Sequence, residues 1–238
     1  MTTGSTETEK GHLTFLVGGF GVGKSNFFDA KKDCLFSTAT LAGFDTIADQ
    51  VVEAINTPAE ERDETQKHLL YNITHVKDFA ENQGIVNKAT NDLRGNSFER
   101  LAKLEAQKNK TKKDITRTEV RDMLGKEIAL YDGTEIAAKI RGGKHIVLDS
   151  TGRADIRADM YKLFEDNQLL GNCTFSAYNL VAPSDEHAAE VATRRLWRDG
   201  NLYTADKIEE TLSKLFPPPI YSSDDIPLDY ESIVQACA

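Results

Sequence analysis

Short apolar runs alternate with helical spacings along the chain and predict an α/β fold. Two runs are typical of buried strands, namely His12–Val17 and His145–Leu148, and each has the length of a strand and is bounded by polar or glycine residues. Thr174–Val181 is also predicted to be a strand. A further strand is predicted within 33–41. Strands that alternate with helices favour a parallel sheet with helices on both faces.

Apolar residues at intervals of three and four positions predict the helices between these strands. Glycine pairs and candidate N-cap side chains then indicate where such helices stop and start. The first predicted helix begins near Gly23 and places Phe27 and Phe28 in the core. Two more have apolar spacing over 47–55 and 69–76, and another, over about 119–139, stops at Gly142-Gly143. Two later helices are predicted after Ser184 and over about 205–215.

One main domain with extended ends is predicted. Residues 1–11 are expected to be a disordered leader, 12–216 the domain, and 217–238 an extended tail. The stretch from about 84 to 118 is polar and is predicted to be a helical insertion. From Arg100 to Lys126 nine basic residues stand against four acidic ones, a net charge of +5. This segment is either a solvated helical face or a surface for nucleic acid.

Composition limits the classes of function. With 238 residues, 39% of them hydrophobic, the chain is long enough for a sizeable core. Its formal charge of −9 gives no support for duplex DNA as the default partner. Cys34, Cys173 and Cys237 lie far apart and form no metal-binding pattern, so a cytoplasmic, reducing setting is expected and a zinc site is not. Since no run approaches 18 apolar residues, no membrane span is expected.

The turn after the first strand carries the clearest chemical signal. It matches GxxxxGK[ST] and reads Gly18-Gly19-Phe20-Gly21-Val22-Gly23-Lys24-Ser25. Closely spaced backbone amides can wrap a polyphosphate where glycine allows a tight turn. In such loops the lysine, here Lys24, reaches the β- and γ-phosphates, and the hydroxyl of Ser25 binds magnesium. The pattern predicts a site for ATP or GTP with Mg²⁺, and the alternative is a glycine-rich turn without a ligand.

Two further groups are candidates for the same chemistry. Asp149 ends the apolar run 146–148, as the acid of a Walker B strand does. It is predicted to hold magnesium or to orient an acceptor, and the alternative is a helix N-cap or a solvated strand end. Arg194, Arg195 and Arg198 cluster after the last predicted strand. They form either a clamp on a phosphoryl group or a solvated basic face.

The segment Val147-Leu148-Asp149-Ser150-Thr151-Gly152-Arg153 resembles the [E/D]-x-T-G-R segment of the zeta-toxin-like kinases. The match extends back to the Gly142-Gly143 turn and forward to Thr193-Arg194-Arg195, and the loop 18–25 fits as well. The resemblance covers about 12–56 and 119–200. It implies a P-loop kinase fold, with a parallel sheet flanked by helices, that binds ATP and Mg²⁺.

The resemblance also implies roles for single residues. Asp45 would be the base toward the acceptor hydroxyl, and the alternative is that it only caps a helix. Three residues would line the acceptor site, and two arginines would be lid residues on the phosphates. The acceptor-site residues are Asp149, Thr151 and Arg153, and the lid residues are Arg194 and Arg198. An antitoxin-like protein partner is implied by the resemblance only.

Three functions follow from these motifs. The leading hypothesis is an ATP-dependent kinase that phosphorylates a hydroxyl of a small molecule, and the resemblance implies a nucleotide sugar as one such acceptor. A second hypothesis keeps the kinase and makes the acceptor a nucleotide, a modified base or a nucleic acid, because of the basic segment 100–126. The third is a nucleotide-binding NTPase without an acceptor.

Overall fold

The described strands form one parallel sheet in the order β2-β3-β1-β4. The computed structural model describes residues 10–18, 24–150 and 154–180. Its strands are β1 (Gly11–Gly18), β2 (Ala39–Ala42), β3 (His145–Ser150) and β4 (Cys173–Leu180). Its α-helices are α1 (Lys24–Ala30), α2 (Phe44–Asn56), α3 (Glu64–Thr74), α4 (Val76–Asn82), α5 (Ser97–Thr111), α6 (Arg117–Arg141) and α7 (Ala154–Asp166), with short 3-10 turns at Lys88–Asp92 and Leu170–Asn172.

The register of the strands brings their carboxyl ends to one edge, which we call the carboxyl edge. Val17 pairs with Ser150, Gly18 with Leu180, and Ala42 with Leu148. β1 and β3 are nearly continuous apolar runs because both faces of the sheet are covered. The loop that follows Gly18 and the end of β3 therefore meet at the same place.

Helices leave β1 and β3 toward opposite faces of the sheet. α1 packs Phe27 and Phe28 with Leu16 and Val147 on one face. On the other face a separate apolar cluster joins β1 and β3 to α7 and the C-terminal half of α6, and it contains Leu13, Ile136, Ile140, Ile146, Leu148, Leu163 and Phe164. When neighbouring parallel strands continue to opposite faces, a crevice opens between their carboxyl ends. That crevice lies between β1 and β3.

A group of helices extends beyond the carboxyl edge instead of covering the sheet. We call α2, α3, α5 and the N-terminal half of α6 the helical unit, because they share one apolar core. α2 runs antiparallel to α6: Asn56 exchanges two hydrogen bonds with the backbone of Ile115, and Asp49 binds Arg117. α6 has 25 residues and is about 37 Å long. It extends from the start of β3, past the carboxyl edge of the sheet, into the helical unit.

The predicted insertion contains α5, which forms an antiparallel pair with α6. Asn96 caps the start of α5, and Thr116 forms a capping box with Glu119 at the start of α6. Buried Glu127 of α6 accepts hydrogen bonds from Arg100 and from the hydroxyl of Ser97, the latter at 2.8 Å. The polar segment is therefore helical. Its charged residues make structural contacts that attach it to α6.

Two element predictions differ from the structure. The second strand occupies Ala39–Ala42, while the apolar residues Cys34 to Phe36 lie in turns. Phe36 enters the core from there, stacked on Phe28 at a centroid distance of 5.3 Å. The spacing over 69–76 is divided at His75, where α3 ends and α4 begins, and the hydroxyl of Thr74 binds the carbonyl of Leu70.

Other predicted segments fall outside the described residues. These are residues 1–9 of the predicted leader 1–11, whose last residue Gly11 lies in β1, the helices after Ser184 and over 205–215, and the tail 217–238. α7, which the apolar pattern did not indicate, connects β3 to β4. Within the described ranges, no helix combines the length and the apolar character needed to cross a membrane.

Candidate functional site

The two ends of the predicted phosphate loop lie at the crevice. Gly18 ends β1, and Lys24 and Ser25 begin α1. Lys24 is buried and its Nζ donates a hydrogen bond to the carbonyl oxygen of Gly18 at 3.0 Å. The other predicted cradle residues, Gly19, Phe20, Gly21, Val22 and Gly23, are outside the described residues. The described part thus fixes where the loop starts and ends.

Asp149 contacts both functional side chains of that loop. Nζ of Lys24 lies 3.4 Å from Oδ1 of Asp149, and the Ser25 hydroxyl donates to Oδ2 at 3.2 Å. Asp149 lies inside β3, and α7 begins only at Ala154. The alternative that Asp149 caps a helix is therefore wrong. The structure brings together Lys24, Ser25 and Asp149, which come from two separate motifs.

These three side chains suit the binding of a magnesium ion beside a polyphosphate. Mg²⁺ prefers oxygen ligands and is commonly bound by one or two protein oxygens together with phosphate oxygens and water. The Ser25 hydroxyl and the Asp149 carboxylate supply such oxygens, 3.2 Å apart. The ammonium group of Lys24 beside them adds a positive charge at the place where phosphates would lie.

Gly43 joins the start of α2 to the same edge. β2 ends at Ala42, and Gly43 follows with φ 149°. A Cβ at this position would lie 2.9 Å from the backbone oxygen of Asp149. This close approach and positive φ both require glycine. α2 therefore begins directly against β3, and Asp45 lies in its first turn.

Asp45 is accessible to solvent and paired with an arginine. Its side chain is 49% exposed, and its Oδ2 lies 3.7 Å from Nη1 of Arg117. Arg117 also donates from Nε to Oδ1 of Asp49 at 2.6 Å. The N-cap of α2 is Gly43, so the alternative that Asp45 caps this helix is wrong.

Asp132 is a buried carboxyl group that the sequence reasoning missed. It is 7% exposed and lies in α6. Burial, and then the charge of Glu135, raises the pKa of Asp132 to about 7, while the Gly43 amide and Lys139 act in the opposite direction. The signal in the sequence is an acid four residues from both Ile128 and Ile136, on the apolar face of the helix.

The remaining predicted site residues cannot be placed against this cluster. The acceptor-site residues Thr151 and Arg153, and the arginines 194, 195 and 198, lie outside the described residues. Of the predicted residues that are described, Lys24, Ser25 and Asp149 meet directly, and Asp45 lies in the first turn of α2.

The likeness to the zeta-toxin-like kinases rests on the sequence motifs quoted above, and membership of that family stays a prediction. In comparisons with known proteins, no family model, curated protein or solved structure matches this chain.

Proposed function

We propose that the chain is an ATP-dependent kinase that transfers the γ-phosphoryl group to a hydroxyl of a small molecule. The contact of Lys24 and Ser25 with Asp149 carries this proposal. A phosphate-loop lysine and hydroxyl meet a strand-end carboxylate at the crevice of a parallel sheet, which is the arrangement that holds a nucleotide with its metal ion in P-loop enzymes. The sheet order is compatible with a P-loop kinase fold.

In this proposal the loop 18–25 encloses the phosphates of ATP or GTP. Lys24 moves from the Gly18 carbonyl and Asp149 to the β- and γ-phosphates. Ser25 and Asp149 hold Mg²⁺, which neutralises charge on the phosphate oxygens. Asp45 accepts the proton of the acceptor hydroxyl. The acceptor oxygen bonds to the γ-phosphorus as the bond to the β-γ bridging oxygen breaks, and ADP leaves.

The acceptor would lie between the carboxyl edge and the helical unit. Gly43 lies against Asp149 at the start of α2, and Asp45 follows in the first turn of that helix. By the family resemblance Thr151 and Arg153 would line the acceptor site, and Arg194 and Arg198 would contact the transferring group. A nucleotide sugar is an acceptor of the kind that the resemblance implies.

The test is transfer of label from ATP to an acceptor. The protein is incubated with γ-labelled ATP and a metabolite extract, and the product is identified by mass spectrometry. Lys24→Ala should lower the rate by roughly a hundredfold or more, because it removes the cation that stabilises the transferring group. Lys103→Ala, at an exposed lysine of α5, is the control. Full activity in Lys24→Ala rejects the proposal, and fast ATP hydrolysis that no extract alters favours an NTPase without an acceptor.

A second candidate acceptor is nucleic acid, and one observation favours it. Of the nine basic residues between 100 and 126, Arg100, Lys108 and Arg117 bind protein groups. The others are exposed: Lys103, Lys110, Lys112, Lys113, Arg121 and Lys126. Binding of single-stranded DNA should then weaken steeply as salt is raised. No binding, or binding that salt does not change, removes this candidate.

A further inference from the structure

We propose that Arg117 is a positioning residue for this site. Asp49 anchors its guanidinium group, and the anchored group directs the side chain of Asp45, the base of the proposed reaction. The catalytic part of this inference rests on the proposed function, whereas the anchoring and the directing contact do not. Arg117 lies at the start of α6, outside the loop and the strand end that bind the nucleotide in that proposal.

The backbone at Arg117 is fixed against the end of α2. Asn56, the last residue of α2, accepts the N–H of Ile115 at 2.8 Å and donates to the carbonyl of the same residue at 2.9 Å. The capping box of Thr116 and Glu119 then sets where α6 begins. Arg117 follows as the first residue of that helix. Its side chain therefore starts from a defined place beside α2.

The guanidinium group of Arg117 holds Asp49 with two donors. Nε donates to Oδ1 at 2.6 Å, and Nη2 donates to Oδ2. A fork of this kind fixes the orientation of the guanidinium plane as well as its distance from the carboxylate. Nη1, the remaining nitrogen, lies 3.7 Å from Oδ2 of Asp45. Arg117 thus contacts two carboxylates that are four residues apart on α2.

The charge of Arg117 changes how these two acids interact. Acids at a spacing of four residues share a face of a helix and repel each other. The guanidinium group attracts both carboxylates and offsets this repulsion. Its side chain is 23% exposed, so solvent and salt screen it less than a fully exposed charge. Because Asp49 fixes its place, the attraction favours those rotamers of Asp45 that bring Oδ2 toward Nη1.

The rotamer of Asp45 matters for transfer because a base must reach the proton of the acceptor hydroxyl. A side chain that is half exposed can sample about three staggered wells around χ1. Losing the preference for a productive well therefore lowers the productive fraction by roughly threefold. Any accompanying displacement of the carboxylate adds to this loss. An effect of about three- to tenfold on the rate is expected from both together.

Nuclear magnetic resonance tests the directing contact without any activity. Three-bond couplings between Hα and Hβ of Asp45 report the populations of its χ1 rotamers. The wild type should show one dominant rotamer, and Arg117→Met, which keeps a long apolar stem and removes the charge, should show averaged couplings. Arg121→Met, at an exposed arginine one turn later on α6, is the control and should keep the wild-type couplings. Averaged couplings in the wild type, or unchanged couplings in Arg117→Met, overturn the inference.

Asp49 supplies a second test in case Arg117→Met does not fold. Asp49→Ala removes both acceptors of the fork, so the Nε proton of Arg117 should exchange with water about tenfold faster or more. The couplings of Asp45 should then average as well. Asp49→Asn keeps an oxygen that accepts from Nε and should change both quantities less. Wild-type couplings of Asp45 in Asp49→Ala contradict the anchoring and the inference.

Transfer of label from ATP to the metabolite extract tests the catalytic part. At saturating ATP, Arg117→Met should lower the maximal rate about three- to tenfold and keep the KM for ATP within about twofold of the wild type. Arg117→Lys should recover little of this loss, because an ammonium group cannot form the fork.

A double-mutant cycle shows whether Arg117 acts through Asp45. Arg117→Met should cause no further loss once Asp45→Asn is present. An equal loss in both backgrounds rejects a role through Asp45. If the wild-type protein transfers no label, the proposed function fails, while the couplings still decide whether Arg117 directs Asp45.

Discussion

The Ser25 hydroxyl donates a hydrogen bond to the Asp149 carboxylate at 3.2 Å across 124 residues of sequence. The contact forms because β1 and β3 are neighbours in a parallel sheet and Leu16 pairs with Asp149. Ser25, the last residue of the loop, and Asp149, the next-to-last residue of β3, thus share one small space. Neither motif by itself implies this distance.

Replacing Asp149 should weaken the binding of nucleotide with magnesium. In Asp149→Asn one oxygen ligand loses its charge, so the Mg²⁺ concentration for half-maximal ATP binding should rise about tenfold or more. Titration of Mg²⁺ at fixed fluorescent ATP measures this. Asp78→Asn, at an exposed aspartate of α4, is the control. An unchanged Mg²⁺ requirement in Asp149→Asn contradicts the assigned metal ligand.

Asp45 and Asp49 provide a matched pair on one helix. Both contact Arg117 and both side chains are about half exposed. If Asp45 accepts the proton of the acceptor, Asp45→Asn should lower transfer by roughly 10²–10⁴. Asp49→Asn removes the same charge one turn farther from the crevice and should stay within about threefold of the wild type. The initial rates with labelled ATP and a metabolite extract compare the two, and similar losses would show that charge alone is responsible.

The pair of Arg100 with Glu127 should be important for stability. Glu127 is 2% exposed and is bound by Arg100 and by Ser97. Arg100→Met leaves a buried carboxylate without its cation, which typically costs about 3–5 kcal/mol. Urea unfolding should show this loss, and the double variant Arg100→Met with Glu127→Leu should recover most of it. Lys67→Met, which breaks an exposed pair with Glu64, should change nothing measurable.

Acid should destabilise the protein through two histidines on the sheet. The rings of His12 and His145 meet edge to face at 4.6 Å, and His12 binds the hydroxyls of Thr174 and Ser176. Burial lowers the pKa of both below the ordinary 6.5, and the charge of His12 lowers that of His145 further. The unfolded chain therefore binds more protons, and the free energy of unfolding should fall as pH drops below about 6.5.

Urea unfolding at several pH values measures this dependence. His12→Gln should flatten it, and His68→Gln, at an exposed position of α3, should not. Asp132 changes the pH dependence of the free energy of unfolding in the opposite direction. Its pKa is raised from 3.8 to about 7 in the folded state, so its contribution to stability is lost as pH rises through that range. Both histidine variants are therefore compared in an Asp132→Asn background, and equal slopes with and without His12 would contradict the prediction.

The sequence predicted the sheet better than the helices around it. β1 and β3 follow from apolar runs, since a strand buried on both faces leaves a clear signal, and β4 was predicted as well although its Phe175 is exposed. The direction of α2 could not be predicted, because its apolar face at Ile47, Val51 and Ile55 serves equally for packing on a sheet or on other helices. Contacts with α3, α5 and α6 decide it, and these lie far apart in sequence.

The residues of the candidate site also fall into two groups, those that local motifs predicted and those that they did not. Lys24, Ser25 and Asp149 were predicted from local motifs, and the structure brings them into contact. Asp132 was missed because an acid within a helical pattern is unremarkable alone, and Gly43 was missed because its need for glycine arises from the close approach of Asp149, far away in sequence. The ion pair of Arg117 with Asp45 was missed for the same reason, since 72 positions separate the two residues.

α6 contributes to two hydrophobic cores, with Val120, Leu124 and Ile128 in that of the helical unit and Ile136 and Ile140 in that of the sheet. A continuous helix cannot melt at one end without exposing apolar surface in the core that it shares there. The helices above the edge and the sheet below it are therefore expected to denature in a single cooperative transition, with fluorescence and circular dichroism giving the same midpoint.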